Sequence, residues 1–192
     1  MKRSAAPLAV LLAVCACSGG EESKRPPWAD GRDVVTDAPA PRPQDLSDLP
    51  GRILELHNRE RQQVRVPPLV WDADLASAAA AYGPALAARG RLRHSLPESR
   101  PGQGENLWMG TAGAFSVEEM VRSWAAEKSI FISGGRVPFV SRSNHFADVA
   151  HYTQMIWRRT MNVGCALHRA RASDYLICRY SPPGNVVGQT VP

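Results

Sequence analysis

Hydrophobic residues recur along this chain with different periods, and those periods predict its elements. From Asp45 to Arg65, the residues Leu46, Leu49, Ile53, Leu56 and Val64 fall near the spacing of one helix face. A first helix is therefore predicted to start near Leu46 and to carry His57 and Asn58. Pro67-Pro68 ends it, and Val66 to Trp71 reads as a connector anchored by its apolar residues. Asp72 and Gly90 bracket an alanine-rich helix from Ala73 to Arg89 as cap and stop, with Pro84 predicted to kink or shorten it. Glu105 to Met109 reads as a strand. Ser116-Val117-Glu118-Glu119 is a capping box opening a helix with Val117, Met120, Val121, Trp124 and Ile130 facing inward. Residues 132–144, rich in glycine, proline and serine, form a loop, and a short helix from Val149 to Trp157 follows. Two β-like runs, Asn162 to His168 and Asp174 to Tyr180, precede a Pro-Pro-Gly-Asn tail. Helices on both sides of a small central antiparallel sheet, an α+β chain built as an α-β-α sandwich, is the predicted architecture.

The ends break this pattern. Lys2 and Arg3 followed by the apolar run Leu8 to Val14 read as an export signal, too short to span a bilayer, so residues 1–16 are assigned to a signal peptide. Val14-Cys15-Ala16-Cys17 resembles a bacterial lipobox, with Cys17 as the residue to be acylated because the small Ala16 precedes it. An ordinary cleaved signal that discards both cysteines is the alternative. Residues 17–45 carry prolines, glycines and charge with few large apolar side chains, too little to offset the entropy of ordering, and read as a flexible tether. Residues 46–192 remain as one domain, large enough to bury a core.

Charge excludes little. Losing Lys2 and Arg3 takes the formal charge from +5 to +3, and the arginines are dispersed rather than clustered with aromatics, so no nucleic-acid partner is expected. Nearby anionic lipid headgroups would suit this mild bias. Beyond the signal, Cys165 and Cys178 are an even pair in an exported chain and are expected to form a disulfide that contributes on the order of 3 kcal/mol. Two free buried thiols, or a metal pair, are the alternatives.

Four segments, in order, carry a resemblance: His57-Asn58-Arg59-Glu60-Arg61, Gly104-Glu105-Asn106-Leu107, Ala150 to Thr160, and Tyr175 to Asn185. Together they resemble the CAP superfamily, the secreted domains that include cysteine-rich secretory proteins, antigen 5 and plant pathogenesis-related proteins. The resemblance implies the same sandwich and a cavity-lining tetrad of His94, Glu105, Glu127 and His151. It departs from the pattern at Ala150 and Arg65, where glycine is usual, and in the longer insertion between Glu127 and His151. The cysteine-rich extension of the animal proteins is absent from the sequence, so its channel effects are not carried over.

In relatives the two imidazoles can hold a divalent ion while carboxylates orient them, so His94 and His151 are the candidate ligands for Zn2+. Without a third ligand such a site is weak and open. The sequence has no His-Glu-x-x-His helix, Gly-x-Ser-x-Gly elbow or catalytic cysteine, and no catalytic residue is assigned. Ser95 and Thr153 adjoin the two histidines, but adjacency is not hydrogen-bond geometry. The expected role is a monomeric, exported binding protein for a lipid or other small hydrophobic ligand. It would be tethered to a bacterial cell envelope through Cys17, or secreted. A metal-assisted hydrolase of peptide or envelope polymer is the alternative.

Overall fold

The computed structural model describes residues 46–192; the predicted signal segment 1–16, the tether 17–45 and Cys17 lie outside the described residues. Among the described residues four α-helices flank one four-stranded sheet. The first helix, α1, spans Leu49–Gln63 and starts later than its apolar spacing predicts. Asp48 sets that boundary by accepting from the Gly51 amide at 3.1 Å, with Pro50 in the first turn, where no intrahelical donor is needed. The next helix, α2, spans Ala73–Arg89 between the Asp72 cap and a left-handed Gly90.

Pro84 does not shorten α2, which runs through it to Arg89. Both Pro84 and Ala80, whose carbonyl loses its helical donor, are on the exposed side of the helix, where solvent can take the place of that donor. The opposite face holds the helix down: Leu75, Ala79 and Leu86 are buried, and at Gly83 a Cβ would meet His168 at 2.5 Å. Gly164 allows the same close approach at the other end, where a Cβ would lie 2.2 Å from the Ala76 nitrogen.

The sheet runs β1-β3-β4-β2, with β1 Val70–Trp71, β2 Gly104–Thr111, β3 Asn162–Arg169 and β4 Ser173–Ser181. Three strands pair antiparallel as predicted, whereas the two-residue β1 pairs parallel with β3. Cys165 and Cys178 face each other across β3 and β4 and are disulfide-bonded, with their Cα atoms 4.1 Å apart.

Side-chain alternation divides the core between the two faces of the sheet. Leu107, Tyr175 and Ile177 pack with Ala79 and Leu86 of α2. The other face carries Val163, Cys165, Leu176, Cys178 and Tyr180 against α1 and against α3, which spans Val117–Ala126. Both halves of the predicted capping box form at Ser116 and Glu119. Val117, Met120, Val121 and Trp124 are each at most 2% exposed and anchor α3 at about 1.5–3 kcal/mol per large apolar side chain. Arg52 of α1 clamps Glu118 of α3 through two hydrogen bonds of 2.5 and 2.7 Å.

The long insertion before His151 has its own packing. Phe131, Val137, Val140 and Val149 form a satellite cluster with Tyr152, Ile156, Trp157 and Val191. The C-terminal segment is stitched to it, since Gly134 donates to the Val191 carbonyl and Val191 donates to that of Gly135. This cluster seats α4, Ala150–Met155, at the end of the sheet.

Candidate functional site

The four tetrad residues come from four places: His94 from the segment after α2, Glu105 from β2, Glu127 from the end of α3, and His151 from the first turn of α4. They meet as two dyads. His94 Nδ1 lies 2.7 Å from Glu105 Oε1, and His151 Nδ1 lies 2.6 Å from Glu127 Oε1. An ionised carboxylate only accepts, so in each dyad Nδ1 donates, and in the neutral imidazole Nε2 is then the nitrogen with the lone pair. Neither Nε2 has a hydrogen-bond partner among the described residues, and the side chains are 57% and 30% exposed for His94 and His151 respectively.

The first dyad is held from beneath. Glu105 Oε1 also accepts from the Ser95 amide and Oε2 from the Ser95 hydroxyl, both at 3.0 Å. Arg179, its cross-strand partner on β4, places Nη2 3.2 Å from Oε2 and lies over the Tyr82 ring. Burial alone would raise the Glu105 carboxyl. The His94 hydrogen bond, the Arg179 charge and the Ser95 amide together outweigh it and hold the pKa below the ordinary glutamate value.

The second dyad is part of a helix start. Val149 offers no side-chain cap to α4, and Glu127 supplies the missing acceptor, taking the amides of His151 and Tyr152 at 3.0 Å each. Trp124 stacks on the imidazole with ring centroids 5.9 Å apart. Ala150 needs no glycine, because its φ of −66° and ψ of −32° are ordinary helical values.

Asn106 joins the dyads. It follows Glu105 in β2, points to the opposite sheet face, and donates to the His151 carbonyl at 3.1 Å and the Tyr180 hydroxyl at 3.3 Å. The Tyr180 hydroxyl in turn donates to Nε2 of the fully buried His57, whose Nδ1 donates to the Ile53 carbonyl at 2.8 Å. Among the described residues, no group of three or more histidine, cysteine, aspartate or glutamate side chains is arranged to hold a metal ion.

Neither hydroxyl beside the histidines is poised for attack. Ser95 is spent on Glu105, and the buried Thr153 donates to Asn185 Oδ1 at 2.7 Å. Asn58 pairs with both backbone groups of Leu69. Arg61, fully buried, donates to the carbonyls of Pro67, Met155, Trp157 and Thr160. Sequence reasoning missed two supporting residues, Arg179 and Gln154. A charge within the apolar run Tyr175 to Tyr180 was the available signal, since such a residue must find a partner. Gln154 accepts from the Gly184 amide and fills the space beside Gly104, where a Cβ would lie 2.3 Å from its Oε1.

This α-β-α sandwich is the fold of a CAP domain. The model of the cysteine-rich secretory protein family matches residues 54–180, and the chain belongs to that family. Pathogenesis-related protein 1C of Nicotiana tabacum is 37% identical over 141 residues, which cover 71% of this chain and 77% of the tobacco protein. A PR-1 type protein of Sambucus nigra is 34% identical over 148 residues, 77% of this chain and 80% of that one. Among solved structures, that of NaASP2 with Zn2+ superposes with a TM-score of 0.59 at 23% identity, covering 73% of this chain and 82% of the other. At that identity the likeness concerns the fold.

Proposed function

We propose that this protein is a monomeric, exported binding protein of the CAP type, which takes a lipid or other small hydrophobic ligand and holds a divalent ion such as Zn2+ at His94 and His151. It is carried on an acylated Cys17 at a bacterial cell envelope. The supporting observation is the pair of dyads: each carboxylate fixes its imidazole through Nδ1 and leaves Nε2 available, the arrangement that orients a metal-binding histidine. Two imidazoles without a third protein ligand suit a loosely held, exchangeable ion rather than a closed structural site. When bound, such an ion supplies Lewis acidity to a ligand oxygen. Binding is favoured over turnover because the hydroxyls of Ser95 and Thr153 are already engaged. The ligand class and the acyl anchor rest on the family resemblance and the lipobox-like Cys17.

Native mass spectrometry of the purified protein with added zinc tests this reading. One ion per chain is expected, lost in the double variant His94→Ala/His151→Ala, with bound lipid and acylated Cys17 visible in the same spectra. No stoichiometric zinc, or equal zinc in the double variant, would remove the metal. Zinc-dependent peptide cleavage lost in that variant would instead establish the hydrolase.

A further inference from the structure

A second surface lies away from the dyads. Arg136, Arg158 and Arg159 line a groove of about 530 Å³ together with the C-terminal segment and the edge of Trp157. All three arginines are exposed, and no acidic side chain lines the groove. The rest of the lining, Trp157, Gly188, Gln189, Thr190 and Pro192, brings no acidic side chain to offset the three guanidiniums. Arg136 is pre-positioned, donating from Nη1 to the Gly188 carbonyl at 2.8 Å.

The same hydrogen-bonded segments raise two apolar tips beside the groove. Gly188 donates to the Val137 carbonyl at 2.9 Å and the Phe139 amide to that of Arg136 at 2.7 Å. These bonds set Val187 and Phe139 at neighbouring turns. They are the most exposed large hydrophobic residues among those described, 77% and 83% respectively. Isolated exposed hydrophobics need no explanation, but two on stitched turns beside an uncompensated arginine groove form a combined apolar and cationic surface.

The geometry points to a membrane-docking face: Phe139 and Val187 enter the interfacial region of an anionic bilayer while Arg136, Arg158 and Arg159 pair with lipid phosphates. Guanidinium forks match phosphate oxygens in pairs, and each basic residue near an anionic surface strengthens association several-fold. Apolar tips alone would bind neutral and anionic bilayers alike, so the arginines supply selectivity and the tips depth. The contact needs no acyl chain on Cys17 and would orient a chain that has one.

The test is sedimentation of the mature chain, residues 17–192 carrying Cys17→Ala, with vesicles of pure phosphatidylglycerol or pure phosphatidylcholine. Phosphatidylglycerol vesicles are expected to bind it at least about tenfold more tightly, with affinity falling as salt rises. Arg136→Glu/Arg158→Glu should abolish the preference, and Phe139→Ser/Val187→Ser should weaken binding several-fold at unchanged charge. All four positions are exposed, and the bonds lost from Arg136 and Arg158 are surface bonds to backbone carbonyls, so both variants should stay folded with at most a small drop in thermal stability. Equal binding to both vesicles, or unchanged binding in the two variants, would overturn the proposal. So would a saturable complex with inorganic phosphate that displaces the vesicles, which would reduce the groove to a small-anion site.

Discussion

At the scale of single residues, the fold keeps two arginines in conditions that ordinarily disfavour them, for opposite reasons. Arg61 is fully buried, and burial lowers its pKa to about 10, so it stays charged at neutral pH with four backbone carbonyls for partners. Three of those carbonyls, of Met155, Trp157 and Thr160, end α4 and the turn after it, where a cation is favoured by the helix carbonyls, and the fourth, of Pro67, belongs to the connector after α1. Arg65 is exposed and holds φ at 56°, the left-handed region where a Cβ is disfavoured. Family proteins often have glycine there, and the geometry gives the reason. Replacing it, Arg65→Gly, should relieve about 1–2 kcal/mol of strain. Greater freedom of glycine in the unfolded chain offsets about 0.4–1 kcal/mol of that. A net gain of up to about 1.5 kcal/mol is expected in urea unfolding; a loss of stability would refute the account. The Arg158 contact to the Arg65 carbonyl involves backbone and survives the change.

Among the elements, α4 depends on its neighbours more than on its own sequence. It has six residues, no side-chain cap of its own, and a start supplied by Glu127 from the end of α3. Glu127→Ala would leave two amides and the His151 ring without their acceptor. The expected cost is about 2–3 kcal/mol in urea unfolding at neutral pH, because the lost bonds were charge-assisted and partly shielded. A change under about 0.5 kcal/mol would show that water replaces the carboxylate. This dependence also marks what the sequence made legible. The α2 and α3 boundaries were readable because Asp72, Gly90, Ser116 and Glu119 are local signals. The parallel β1 was not, since two residues carry no period and their pairing depends on distant Asn162 and Val163. The span of α2 was legible as well, and Pro84 does not shorten it because the cost of a proline depends on which face it occupies. Motif context singled out His94, Glu105, Glu127 and His151, which pair as two dyads, but Arg179 beneath Glu105 became visible only once strand register paired β4 with β2.

For the molecule as a whole, the buried polar network sets the response to acid. His57 joins α1 to Tyr180 of β4, and through Asn106 to the carbonyl of His151. Burial, aided by the nearby Arg61 charge and only partly opposed by the Ile53 carbonyl, lowers its pKa from 6.5 to about 4. Between those values the unfolded chain binds a proton that the folded one refuses, so stability falls as pH drops through this window. It is fully present above about pH 6.5, and roughly 3 kcal/mol is lost by pH 4 at about 1.4 kcal/mol per pH unit. Glu118 acts in a lower window. Its bond to Arg52 lowers its pKa from 4.5 to about 2, so its contribution is present above pH 4.5 and disappears as pH falls towards 2. Acid unfolding should therefore show two successive losses, separable by variants. His57→Gln lowers stability at neutral pH by breaking the network, yet it should flatten the slope of unfolding free energy between pH 6.5 and 4.5. Arg52→Gln should leave that upper slope intact and reduce the lower one, to which the lowered carboxyl of Glu105 also contributes. Urea titrations across this range decide the assignment: an upper slope that persists in His57→Gln would show that His57 is not the acid-sensitive group.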